Sequence, residues 1–122
     1  MLVSQKPYLI NAIYEWCEDN GFTPHLVIAV DKNTIVPMQY VENNQLILNI
    51  AAGATKDLII DKEWITLRAT FSGVIYDIAI PITNVIAIFA KENGHGMQFD
   101  TEIHNPSQTE ETNSGGGLRL VK

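Results

Sequence analysis

Three histidines and one cysteine are the residues in this chain best equipped for chemistry. His25, His95, His104 and Cys17 carry donor atoms suited to a metal, yet no C-x₂-C or H-x₃-H spacing joins them. The expectation is therefore no metal site and no cofactor. Nucleophilic catalysis is no better supported. Ser72 precedes Gly73, but no G-x-S-x-G elbow surrounds it and no His–Asp pairing can be read from the order of residues. Cys17 falls on the apolar side of a helical pattern, where a thiol packs as a small hydrophobe. Glu15, Glu18 and Asp19 crowd the last turns of the same helix and read as its solvated face. Gly115, Gly116 and Gly117 do not form a phosphate loop, because no strand precedes them and no helix follows. No enzyme is expected.

Recognition explains other segments better. Leu118, Arg119, Leu120, Val121 and Lys122 form a compact apolar and basic cluster. They follow TEIHNPSQTEETNSGGG, residues 101–117, which is polar, acidic, interrupted by Pro106 and closed by three glycines. Such a stretch lacks the apolar area that offsets the entropy of ordering it, so it reads as a flexible linker. A hydrophobic cluster on a linker is suited to a groove on another protein. Two further segments could receive an extended peptide. The segment from Asn49 to Thr55 places small residues after an apolar strand, where another backbone can approach closely. Ala69, Thr70, Phe71, Ser72 and Gly73 offer a small residue, an aromatic wall and a turn.

The elements that must position these residues follow from pattern and punctuation. Pro7 suits a first helical turn and Gly21 a position just past a helix end, so 7–20 is predicted helical. Leu9, Ile13 and Trp16 make one apolar row on it, and Ile10, Tyr14 and Cys17 a second. That stripe is wide enough to bury part of the helix against a second copy of the chain. Strands are predicted at 25–30, 35–41, 45–50, 64–71, 74–80 and 85–90, with a short one near 97–99. Asp31 to Asn33, Glu42 to Asn44 and Ser72-Gly73 supply the turns, and 81–84 a turn or 3₁₀ piece. Pro37 cannot donate to a ladder, which puts its strand at an edge or a bulge. The predicted class is mainly β with an N-terminal helix, as a small bent barrel or two packed antiparallel sheets.

Composition narrows the function classes. The chain has 122 residues and a net charge of −6, with no basic run, which makes nucleic acid an unlikely partner by charge. One cysteine excludes an internal disulfide framework and fits a reducing compartment. No signal-peptide pattern and no apolar stretch of membrane-spanning length is present.

Several stretches together resemble the stringent starvation protein B family of bacterial adaptors. They are Pro7-Tyr8-Leu9 with Tyr14-Glu15-Trp16, Asp19-Asn20, and Thr23 to Val27, then Val36-Pro37-Met38 with Tyr40. Leu48 to Ala51, Ala69 with Phe71 and Gly73, Ala87-Ile88, Ala90 to Gly94, Met97 and Phe99 continue the match, which the terminal LRLVK completes. The resemblance implies an Sm-like domain over 1–100 that dimerises through its first helix, a linker over 101–117 and a docking motif over 118–122. It also implies that Asn49, Ile50, Ala51, Ala54 and 69–73 hold part of the ssrA degradation tag of proteins from stalled ribosomes. Residues 118–122 would then dock on the N-terminal zinc-binding domain of ClpX, enhancing degradation by ClpXP in the bacterial cytoplasm. Two departures stand out. Relatives carry Arg where Thr70 stands here, removing a cation for acidic tag residues, and the linker is shorter than theirs. The alternative from another class is an Sm-like RNA-binding module.

Overall fold

The structure, a computed structural model, describes residues 4–99. The expected linker 101–117 and docking motif 118–122 lie outside the described residues. Helix α1 spans Lys6–Asp19, with Pro7 in its first turn as expected. Its end is set by Gly21, whose φ of +70° only glycine adopts without strain. Gly21 N–H donates to Glu18 O at 3.3 Å and Phe22 N–H to Cys17 O at 2.8 Å, the paired bonds of a Schellman motif. The hydrophobic contact that accompanies such a motif is Trp16 on Phe22, edge to face with centroids 5.3 Å apart.

Seven strands follow: β1 (Pro24–Ala29), β2 (Gln45–Asn49), β3 (Thr55–Ile60), β4 (Trp64–Phe71), β5 (Val74–Pro81), β6 (Val85–Ala90) and β7 (Gly96–Gln98). They form two antiparallel sheets, one in the order β2-β1-β6-β7 and the other β3-β4-β5. Alternation dictates what each strand buries. In β4, Ile65, Leu67 and Ala69 point inward while Trp64, Arg68 and Thr70 stay exposed. Leu26, Ile28, Leu46, Leu48, Val85 and Ile88 of the first sheet meet Ile65, Leu67, Ile78 and Ile80 of the second in one core, joined by Ile10 of α1. Each fully buried Ile or Leu contributes on the order of 1.5–3 kcal/mol of transfer free energy. The fold is thus the two-sheet form of the expected class.

The β4–β5 hairpin closes through Ser72 (φ +52°) and Gly73 (φ +82°), with Phe71 opposite Val74. Two positive φ values in a two-residue loop define the turn whose twist matches the strands. Asn43 and Asn44 (φ +54° and +60°) form a second such turn, bracketed by reciprocal Glu42–Gln45 backbone bonds of 3.0 and 2.9 Å.

Two expectations are corrected. Residues 35–41 do not form a strand. Ile35 exchanges both backbone bonds with Ala79, at 2.8 and 3.0 Å, and the pairing ends there. The next bonded pair in that register would place Pro37 against Asp77, and Pro37 has no N–H to give. The chain turns instead into a 3₁₀ helix, Met38–Tyr40. The second correction is β3, which the prediction lacked. Its pairing with β4 shifts register between Lys56 and Ile59, where Asp57 adopts φ +57°. That bulge erases the alternation that would have announced a strand.

Candidate functional site

Among the described residues, several hollows open on the surface around the second sheet. The first, about 150 Å³, opens over the start of β3 and the end of β4. Thr55 pairs with Ala69, which brings Ala54 onto the same hollow as Ala69 and Thr70. Those three expected residues, distant in sequence, therefore share one site. Gly53, Lys56, Arg68 and Ile75 complete it.

The second hollow, about 450 Å³, lies between the two sheets at the edge of β2. Phe71 lines it rather than the first. Tyr40 stacks on Phe71 at 4.9 Å between centroids, and Tyr76 meets both rings edge on. Tyr40 O–H donates to Ser72 Oγ at 2.9 Å, and Gln39 Nε2–H to Tyr76 Oη at 2.8 Å. Gln45, Leu46 and Ile47 of β2 form the opposite side.

That side is an open strand edge. Val30 N–H donates to Asn44 O and Ile50 N–H to Pro24 O, so the even-numbered residues of β2 direct their main-chain groups toward β1. Ile47 and Asn49 direct theirs the other way, where β2 has no partner strand among the described residues. An edge of unpaired N–H and C=O groups beside a side-chain hollow is the geometry by which an extended peptide adds to a sheet.

The remaining expected residues play supporting parts. Asn49 is exposed, and its Oδ1 accepts the Ala51 N–H at 3.0 Å. Ala51 O accepts from Ala54 N–H at 2.9 Å and Thr55 O–H at 3.3 Å, which fixes the 51–54 turn. Ile50 is fully buried and packs in the core beneath Asn49. Sequence reasoning missed Tyr40, Ile47 and Lys56 as site residues. Recognition of β3 would have placed Lys56 opposite Arg68.

On α1, Ile10 and Cys17 are fully buried within the single chain, while Leu9, Ile13, Tyr14 and Trp16 keep part of their surface. Tyr8 is 56% exposed and has the Lys62 ammonium over its ring. Burial raises the Cys17 thiol above its ordinary pKa, and Glu92 and Glu18 add to the effect. Such a thiol is a poor nucleophile at neutral pH. Glu92 moves the other way, because the Thr23 hydroxyl and backbone N–H both donate to its carboxylate and hold its pKa down. These bonds tie the turn after β6 to the start of β1. Among the described residues no group of three or more His, Cys, Asp or Glu side chains is arranged to hold a metal, and no helix is long and apolar enough to cross a membrane.

A short helix, two antiparallel sheets and shallow hollows beside an open strand edge define a small β domain built for surface contacts. The chain belongs to the stringent starvation protein B family, whose family model matches residues 4–117. A curated relative described as a stringent starvation protein B homolog, from Haemophilus influenzae, is 41% identical over 99 residues. The match covers 80% of this chain and 66% of that protein's length.

Proposed function

We propose that this chain is a non-enzymatic adaptor of the bacterial cytoplasm. It binds the ssrA tag on products of stalled ribosomes and tethers them to ClpX, enhancing their degradation by ClpXP. Family membership supports the class of ligand. The observation that carries the reading in this chain is the open β2 edge facing the wall of Tyr40 and Phe71. The tag would lie extended there, its backbone meeting the free groups of Ile47 and Asn49 and its small side chains reaching Ala54, Ala69 and Thr70. The docking end is 118–122, directed at the zinc-binding domain of ClpX.

Fluorescence anisotropy of a labelled ssrA peptide with the purified chain tests this reading. Saturable binding is expected, with a scrambled peptide and an oligo-RNA at low salt both failing to compete. Absence of saturable tag binding, or preferential capture of RNA, would refute it.

The adaptor acts as a homodimer in this reading, through the surface α1 leaves open at Tyr8, Leu9, Ile13 and Trp16. Sedimentation equilibrium is expected to give twice the chain mass at micromolar concentration. A monomer there would remove the dimer, and with it the avidity of paired tails.

A further inference from the structure

We propose that Lys56 makes the hollow over β3 and β4 a subsite for a carboxylate, taking an acidic side chain that neighbours a small residue in the bound peptide. The inference deepens the peptide-binding reading and rests on it. The chain carries a net charge of −6, yet this hollow is lined by two cations, Lys56 and Arg68, and by no acid. Glu18 reaches the adjoining loop, accepting the Ala52 N–H at 3.2 Å, without lining the hollow.

The two cations are not equivalent. Arg68 Nε–H donates to Asp77 Oδ1 at 3.0 Å, and its Nη1 lies 3.8 Å from Asp57 Oδ2. Both carboxylates line the separate hollow on the far side of Arg68. Arg68 is thus compensated from behind. Lys56 is exposed and has no ion-pair partner among the described residues. It stands directly opposite Arg68 in the β3–β4 register. Like charges so placed oppose one another across a strand pair. A ligand carboxylate over the hollow removes that repulsion as it binds.

The neighbourhood sets what accompanies the carboxylate. Thr70 follows Arg68 by two residues on the same face of β4, roughly 7 Å along the strand. Lys56 and Thr70 line this same hollow. Gly53, Ala54 and Ala69 leave room for backbone and small side chains only, and Ile75, 65% exposed, offers one apolar wall. Lys56 thereby supplies from β3 the cation that Thr70 does not supply from β4.

The test uses the full chain, the labelled tag peptide, and the same peptide with every Asp and Glu replaced by its amide. Wild type is expected to bind the amide peptide about 2- to 5-fold more weakly, the range of an exposed ion pair. Lys56→Gln weakens the acidic peptide by the same factor, erases the difference between the two peptides, and flattens the salt dependence of binding. Lys56→Arg retains the difference, and Lys56→Glu widens the loss to roughly 10-fold. Thermal melts of the variants matching wild type exclude misfolding. If wild type binds the acidic peptide and Lys56→Gln keeps full discrimination, Lys56 has no part in recognition and the inference alone is overturned. If wild type binds neither peptide, the peptide-binding reading falls first and this inference falls with it.

Discussion

Chains ending at Gly117 are expected to bind the ssrA peptide with unchanged affinity and to lose all enhancement of ClpX-dependent degradation. The reasoning is one of effective concentration. Seventeen residues of flexible coil, the length proposed for a linker over 101–117, would have an r.m.s. span of roughly 20–25 Å and a greatest reach of about 60 Å. Over such distances a tethered partner experiences its target at about millimolar concentration. In the proposed reading, a tagged substrate held in the hollow and linked to ClpX through 118–122 would therefore be presented far above its free concentration. Removing the five residues returns the substrate to its own unaided affinity for the unfoldase, on the order of a 10²-fold drop in local concentration. Degradation of a tagged fluorescent protein at limiting substrate reads this directly, and anisotropy with the labelled tag supplies the control. Should tag affinity fall in step with degradation, the separation of cargo site and docking end would be wrong. A single substitution, Leu120→Asp, should reproduce much of the loss, because it removes apolar contact without shortening the chain.

Gly96→Ala is expected to be the most damaging single-methyl change in the described domain. A Cβ at that position would overlap the Ile88 carbonyl oxygen and lie 2.6 Å from Phe89 Cα, both backbone atoms of β6. Gly96 stands opposite Phe89 in the β6–β7 register, and β6 is held on its other side by β1. Neither strand can yield without loss. If β6 shifts, Ile88 and Val85 leave their places in the core. If β7 detaches, the bonds from Ala90 N–H to His95 O and from Phe99 N–H to Ile86 O go with it. Overpacking of this kind costs about 3 kcal/mol at the upper end of its usual range. For a domain of this size that is a fall of roughly 12–24 °C in melting midpoint. A midpoint within about 2 °C of wild type would show that β7 contributes nothing to the stability of the sheet.

What was legible in the sequence, and what was not, divides along physical lines. The helix was readable because Pro7 and Gly21 punctuate a wide apolar stripe, and both do the expected work at its ends. Strand β4 was readable by its alternation, and β1, β2, β5 and β6 by apolar, β-branched runs set between turn residues, Ser72-Gly73 among them. The run 35–41 was misread because its β-branched residues suggest a strand while a single missing N–H at Pro37 ends one. Strand β3 was missed because the bulge at Asp57 hides its alternation. The site suffered from that omission. Ala54, Ala69 and Thr70 were selected by family resemblance, and pairing of β3 with β4 brings them onto one hollow. Lys56 could not be singled out without that pairing. Phe71 was expected beside Ala69 and shares its face of β4 two residues on, but it stands at the strand's end next to the Ser72-Gly73 turn and lines the other hollow, against Tyr40. Such assignments need strand register, which a residue list does not contain.

The segment between Ile35 and Tyr40 crosses from one sheet to the other with Pro37 buried and Val36 and Tyr40 packed against the core, and with few hydrogen bonds: the Ile35–Ala79 bridge, Gln39 to Tyr76 and Tyr40 to Ser72. Two of these are bonds between exposed side chains, for which water competes. The polar rim of the gap bounded by Tyr40 and the β2 edge is therefore adjustable apart from the core on which Tyr40 itself rests, like a drawstring beside a rigid frame. Substitutions along it can reset which sequences the gap admits while leaving folding stability nearly intact. Under the proposed peptide-binding role, a lineage carrying this domain would change its clientele by altering a handful of surface hydroxyl and amide groups.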